Sequence, residues 1–109
     1  MATPQDWTIV FYTDANDNSP PEGFIRGLDK ATYARFLRSI EFLRVRNVNA
    51  REPMVKHVEG KLWELRQSSN DNIYRLIYFF FTGRQIVFVH GFQKKTKKTP
   101  RREIEIAER

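Results

Sequence analysis

The sequence contains no cysteine. Disulfides, thiolate zinc sites and a cysteine nucleophile are therefore excluded, and the composition fits a reducing, cytoplasmic setting. Histidine is nearly as scarce. His57 and His90 are the only two, and no HExxH-like spacing surrounds them, so no metal site is expected. The five glycines form no phosphate-cradling loop, and no Ser/His/Asp order suggests a hydrolytic triad. Membrane-length apolar runs are also missing. The run Ile73 to Phe81 is broken by Arg75 and falls well short of the roughly 20 residues a bilayer requires. The opening MATPQDW has neither the basic nor the apolar region of a signal peptide.

What is present is enough for one core. The 109 residues are 40% hydrophobic and 14% aromatic, which suggests a single domain spanning 1–109. A domain of this size buries a modest share of its surface and is marginally stable. The net charge is +6, unevenly placed. Between Gln93 and Arg102 stand Lys94, Lys95, Lys97, Lys98, Arg101 and Arg102, with no acidic residue among them. The rest of the chain balances, with 13 basic against 13 acidic residues. One ten-residue block thus carries the whole excess, a footprint suited to a polyanion.

Periodicity orders the elements. WTIVFYT, Trp7 to Thr13, reads as a strand because it is β-branched and aromatic. Ser19-Pro20-Pro21-Glu22 has the form of a capping box opening a short helix through Leu28. Asp29 is placed to cap a second helix, Lys30 to Val45, with Tyr33, Phe36, Leu37, Ile40 and Leu43 as its apolar stripe. After Pro53 the period becomes two. Strands are expected over Lys61–Gln67, Ile73–Thr82 and Gln85–Phe92, with turns at SSNDN and Thr82-Gly83-Arg84. Pro100 then opens a last short helix, RREIEIAER. The expected class is α+β: an N-terminal strand and two helices packed on an antiparallel sheet, with a short C-terminal helix.

Strand parity singles out candidates. Leu62, Glu64 and Arg66 share a face, as do Ile73, Arg75, Ile77 and Phe79. Ile86, Phe88, His90 and Phe92 alternate with Val87 and Val89. Arg75 is the anomaly, because a charge inside an apolar strand needs a partner or a wet edge. An ion pair with Glu64 across the hairpin would satisfy it. A phosphate is the other partner an arginine suits, through a bidentate grip, with the adjacent lysines as point charges. The lysine block leaves directly from a strand, so its first residues are anchored at a sheet edge. His90, set among core phenylalanines, is expected to be a hydrogen-bonded structural residue. Trp63, alternating with Leu65, is expected in the core. Tyr74 and Tyr78 are core or edge aromatics, or proton donors.

The order LWELR, YRLIY, then HGFQKKTKKTP and EIEIAER resembles the RelE/HigB superfamily of bacterial toxins, and more closely its phage-derived HigB-type branch. The likeness covers Lys61 to Arg109 well; the N-terminal strand and helices agree in type and order. It implies a compact RelE-like fold and an mRNA endonuclease that inhibits translation and growth without a metal or other cofactor. The implied partners are mRNA, the ribosome near its A site and 16S rRNA, and a cognate helix-turn-helix antitoxin. The ribose 2′-hydroxyl attacks its own 3′-phosphate. By this likeness Arg75 is the strand arginine beside the scissile phosphate, Arg66 the basic residue ending the preceding strand, and Lys94 and Lys95 the basic cluster. Lys97, Lys98, Arg101 and Arg102 are the outer RNA contacts. Some members carry a tyrosine in the C-terminal helix. RREIEIAER has none, so Tyr78, Tyr74, a lysine or His90 takes that part. A lysine titrates near 10.4 in isolation, and mutual repulsion within the cluster lowers this toward the range of a base. The alternative is a non-catalytic, phage-derived module of the same fold that binds RNA or a partner through its basic surface.

Overall fold

A computed structural model describes residues 7–46, 55–69, 72–94 and 101–108. The chain opens with β1 (Thr8–Phe11), then folds into α1 (Pro20–Arg26) and α2 (Lys30–Arg46). Ser19 stands at the N-cap of α1, but its side chain makes no capping hydrogen bond. The expected reciprocal box does not close, and Glu22 instead pairs with Arg26 one turn later, 3.1 Å away. Pro20, with its fixed φ, starts the helix instead. Asp29 does cap α2. Its carboxylate accepts from the Thr32 amide at 3.1 Å and the Thr32 hydroxyl at 2.7 Å. Phe36, Ile40 and Leu43 are buried along α2, whereas Leu37 is 45% exposed. Its place on the buried stripe is taken by Thr32 and Ser39, whose small side chains let the helix lie close.

Four strands follow, β2 (Val55–Glu59), β3 (Leu62–Ser69), β4 (Asn72–Phe81) and β5 (Gln85–Lys94), and then α3 (Arg101–Glu108). The sheet order is β1-β5-β4-β3-β2. Two points differ from the sequence reading. A strand, β2, precedes the expected three and pairs antiparallel with β3. The sheet is also mixed, because β1 runs parallel to β5. α1 and α2 carry the chain from β1 to β2 at the opposite edge, and the antiparallel run from β2 to β5 brings it back alongside β1. The β2–β3 and β4–β5 turns use left-handed backbone at Gly60 (φ +56°), Gly83 (φ +79°) and Arg84 (φ +58°).

The two sheet faces carry different layers. On one, α1 and α2 bury Ile25, Phe36, Ile40 and Leu43 against Leu65, Leu76, Tyr78, Ile86 and Phe88. On the other, α3 sets Ile104 against Leu62, Ile77 and Phe92. Strand parity alone places Ile86, Phe88, His90 and Phe92 together. A β-bulge separates them: Tyr78 pairs with Phe88 but Ile77 pairs with His90, which leaves Val89 extra. The extra residue reverses the alternation, so Ile86 and Phe88 face α2 while Phe92 faces α3. Beyond the bulge, Gly91 lets α1 approach β5. A Cβ there would sit 2.4 Å from Phe24 Cδ2.

Candidate functional site

Alternation on β3 and β4 sends Glu64, Arg66 and Arg75 to the α3 face. Arg66 and Arg75 are direct partners in the antiparallel ladder, and Arg75 in turn faces Phe92 on β5. Two like charges opposite each other are destabilising unless something lies between them. Glu64 does so. Its Oε1 is 3.5 Å from Arg66 Nε, and its Oε2 is 3.8 Å from Arg75 Nη1. Arg75 and Glu64 are 0% and 1% exposed, while the Arg66 side chain keeps 22% of its surface in solvent. Burial pulls the Arg75 guanidinium below its ordinary pKa; Glu64 opposes this and Arg66 adds to it. The cluster carries two positive charges and one negative, and Arg66 is the member that reaches water.

Lys94 is the last residue of β5, in register with Ile73 and two positions beyond the partner of Arg75. The basic segment therefore leaves the sheet at the end where Arg66 and Arg75 stand. Lys95, Lys97 and Lys98 lie outside the described residues. Arg101 and Arg102 open α3. Arg101 is gripped bidentately by Glu59 on β2, at 2.6 and 2.8 Å, which draws the Glu59 pKa down and raises that of Arg101. Its charge pins α3 to the sheet edge, and Arg102 is exposed beside it.

Tyr78 stands apart from this group. It is 1% exposed on the opposite face, tilted against Phe88 and edge-on to Phe80. Burial holds its phenol protonated far above the usual range. Tyr74 also lies on that face, packed against the same core and tilted toward Phe24. Of the other proton-transfer candidates, His90 lies on the α3 face. Its Nε2 is 2.8 Å from Glu103 of α3, and both side chains are about six-sevenths buried. The bulge brings it there. Trp63 packs at the core margin against His57.

Sequence reasoning missed Lys56. It lies on β2 directly opposite Glu64, which puts it on the arginine-bearing face. The alternation of VKHVE carries this signal, but only once β2 is counted as a strand.

The α+β fold thus carries a mixed sheet with the charged cluster of Glu64, Arg66 and Arg75 on its α3 face. The family described as "Phage derived protein Gp49-like (DUF891)" matches residues 23–109. The chain belongs to this family, which is related to RelE/HigB-type toxins. No curated protein matches the chain significantly.

Proposed function

We propose that this chain is the toxin of a toxin–antitoxin pair, a metal-independent mRNA endonuclease acting on translating ribosomes. The observation that supports this most is the pairing of Arg66 with Arg75 around Glu64, at the sheet end where Lys94 leads into the basic segment. The mRNA lies across that end of the α3 face. Arg66, with its solvent-facing surface, grips the scissile phosphate. Arg75 has no exposed surface for a phosphate to reach, so it acts as a positioning residue. It fixes Glu64, and Glu64 fixes the Arg66 fork.

In the reaction the 2′-oxygen attacks the adjacent phosphorus and the bond to the 5′-oxygen of the next nucleotide breaks. The products are a 2′,3′-cyclic phosphate and a free 5′-hydroxyl. The 2′-hydroxyl proton passes to Lys94 or Lys95, and the departing 5′-oxygen takes one from His90, which Glu103 orients. Negative charge accumulates on phosphorus oxygens in the transition state, and fixed cations stabilise it most where water is excluded. Lys97, Lys98, Arg101 and Arg102 contribute outer contacts to mRNA and to 16S rRNA near the A site. A helix-turn-helix antitoxin restrains the activity.

A second reading is a binding module of the same fold without catalysis. The burial of Arg75 and Tyr78 favours it, since neither offers a surface to a substrate. Purified protein incubated with a synthetic mRNA, with and without ribosomes, separates the two. The toxin reading predicts fragments ending in 2′,3′-cyclic phosphate that depend on ribosomes and vanish with Arg66→Gln. RNA retained intact by folded protein under both conditions would leave the module.

A further inference from the structure

A second cationic surface lies on α2, over the other face of the sheet. The helix carries Lys30, Arg35, Arg38, Arg44 and Arg46 against Glu41 alone, and Glu41 is held by Arg44. Arg35, Arg38, Phe42 and Arg46 follow at steps of three, four and four residues, which places them on one stripe. The stripe borders a shallow pocket of about 350 Å³ between α2 and β3, lined by Arg35, Arg38, Ser39, Phe42 and Gln67.

The pocket has fixed walls. Arg35 Nη2 donates to the Ser68 carbonyl at 2.8 Å, which holds its guanidinium against β3. Gln67 donates its side-chain amide to the Ser39 hydroxyl. Arg46 lies over the Phe42 ring, 5.2 Å from its centroid. Arg38 has no salt-bridge partner among the described residues.

Apolar exposure decides what such a surface meets. On the stripe side of α2, Phe42 and the neighbouring Val45 are exposed at 47% and 59%. A nucleic-acid backbone matches arginines but gives nothing to an exposed phenylalanine beside a valine. A protein segment with alternating carboxylate and apolar side chains matches both, and arginine with aromatic residues is the composition enriched at protein interfaces.

We propose that the α2 stripe docks an acidic, amphipathic segment of a partner protein. Its carboxylates lie between Arg35 and Arg38, and an apolar side chain rests on Phe42. This inference does not depend on the ribonuclease reading, because it concerns a different sheet face.

The test is a selection from a randomised 16-residue peptide library on the full chain, followed by anisotropy titration of the recovered peptides. The proposal expects sequences rich in Asp and Glu with apolar residues at helical spacing. Their affinity should fall about tenfold with Arg38→Glu and with Phe42→Ala, as for an interface anchor. Lys30→Glu makes the same charge change at an exposed α2 position off the stripe, and it should leave binding within about twofold. Both altered stripe residues are solvent-exposed, so circular dichroism should show an intact fold. The proposal is overturned by peptides without acidic bias, or by equal losses with Arg38→Glu and Lys30→Glu. It is also overturned if a 12-nucleotide RNA, and not the peptides, is the probe that both stripe variants release.

Discussion

The two faces of the sheet use the same strands for opposite purposes. The α1–α2 face is closed by residues such as Phe36, Leu43, Leu65 and Phe88, each with no exposed surface. The α3 face has a smaller apolar cluster of Leu62, Ile77, Phe92 and Ile104, and beside it buries Glu64 with Arg75. Burying an ion pair contributes little net stability, because desolvation offsets much of the attraction. The first face therefore supplies most of the folding free energy, and the second holds charge in place. A 109-residue chain can do both because the parity of β3 and β4 separates the two sets of side chains.

The largest expected effect comes from opening the closed face. Phe36→Ala should cost about 4 kcal/mol by urea denaturation, through lost burial plus the cavity left behind. Ile104→Ala on the α3 face, 7% exposed at the margin, should cost roughly half that. Equal costs would break the comparison.

The ion pair provides the next test. Arg75→Met leaves Glu64 buried with a main cation removed and should destabilise by about 3 kcal/mol. Combining it with Glu64→Leu should restore most of that loss, because an apolar pair replaces a desolvated one. Cleavage should not return with stability. A double variant that stayed as unstable as Arg75→Met would mean that the cluster is held by something other than charge.

Gly91→Ala is smaller in effect. The new methyl meets Phe24 at 2.4, 2.7 and 3.1 Å, and the 3.1 Å contact is to its Cβ, which a rotamer change cannot move. A loss of about 2 kcal/mol is expected, carried mostly by displacement of α1. Phe24→Leu in the same chain should return part of it, as read by thermal melting.

Acid should loosen both the tie of α3 to β2 and the cap of α2. Arg101 holds the Glu59 carboxylate below its ordinary value of 4.5, and the Thr32 hydrogen bonds hold Asp29 below 3.8. A lowered folded-state pKa means that this stability is fully present above the unfolded value and lost as pH falls through the folded one. Urea midpoints should therefore hold from pH 6 to about 4.5 and decline below it. The decline should be shallower in Glu59→Gln. Smallest of all, Arg66→Gln should leave stability within about 1 kcal/mol, as expected of a partly exposed pair, while removing RNA cleavage.

Much of this arrangement is legible in the residues. The order of β1, α1, α2, three hairpin-linked strands and α3 follows from periodicity, and most boundaries fall within two residues. Asp29 as a cap and Glu64 as the partner of Arg75 are local or cross-hairpin facts that spacing can carry. Three things required the folded chain. The parallel union of β1 with β5 joins residues more than 70 apart, and no local pattern encodes it. VKHVE is short, and without β2 Lys56 had no place beside Glu64. The bulge at Val89 adds one residue to β5, which sends His90 to the α3 face and undoes a parity argument that held for β4. The depth of Arg75 and Tyr78 was equally hidden, since alternation gives a face and not a distance from water.

The most direct test of the central claim is a map of new RNA 5′ ends after brief induction in bacteria, beside folded Arg66→Gln and Glu64→Leu/Arg75→Met controls. The account predicts new ends inside coding regions, in phase with codons and missing from both controls. Folded wild-type protein that produces no new ends, or identical ends from the controls, would contradict it.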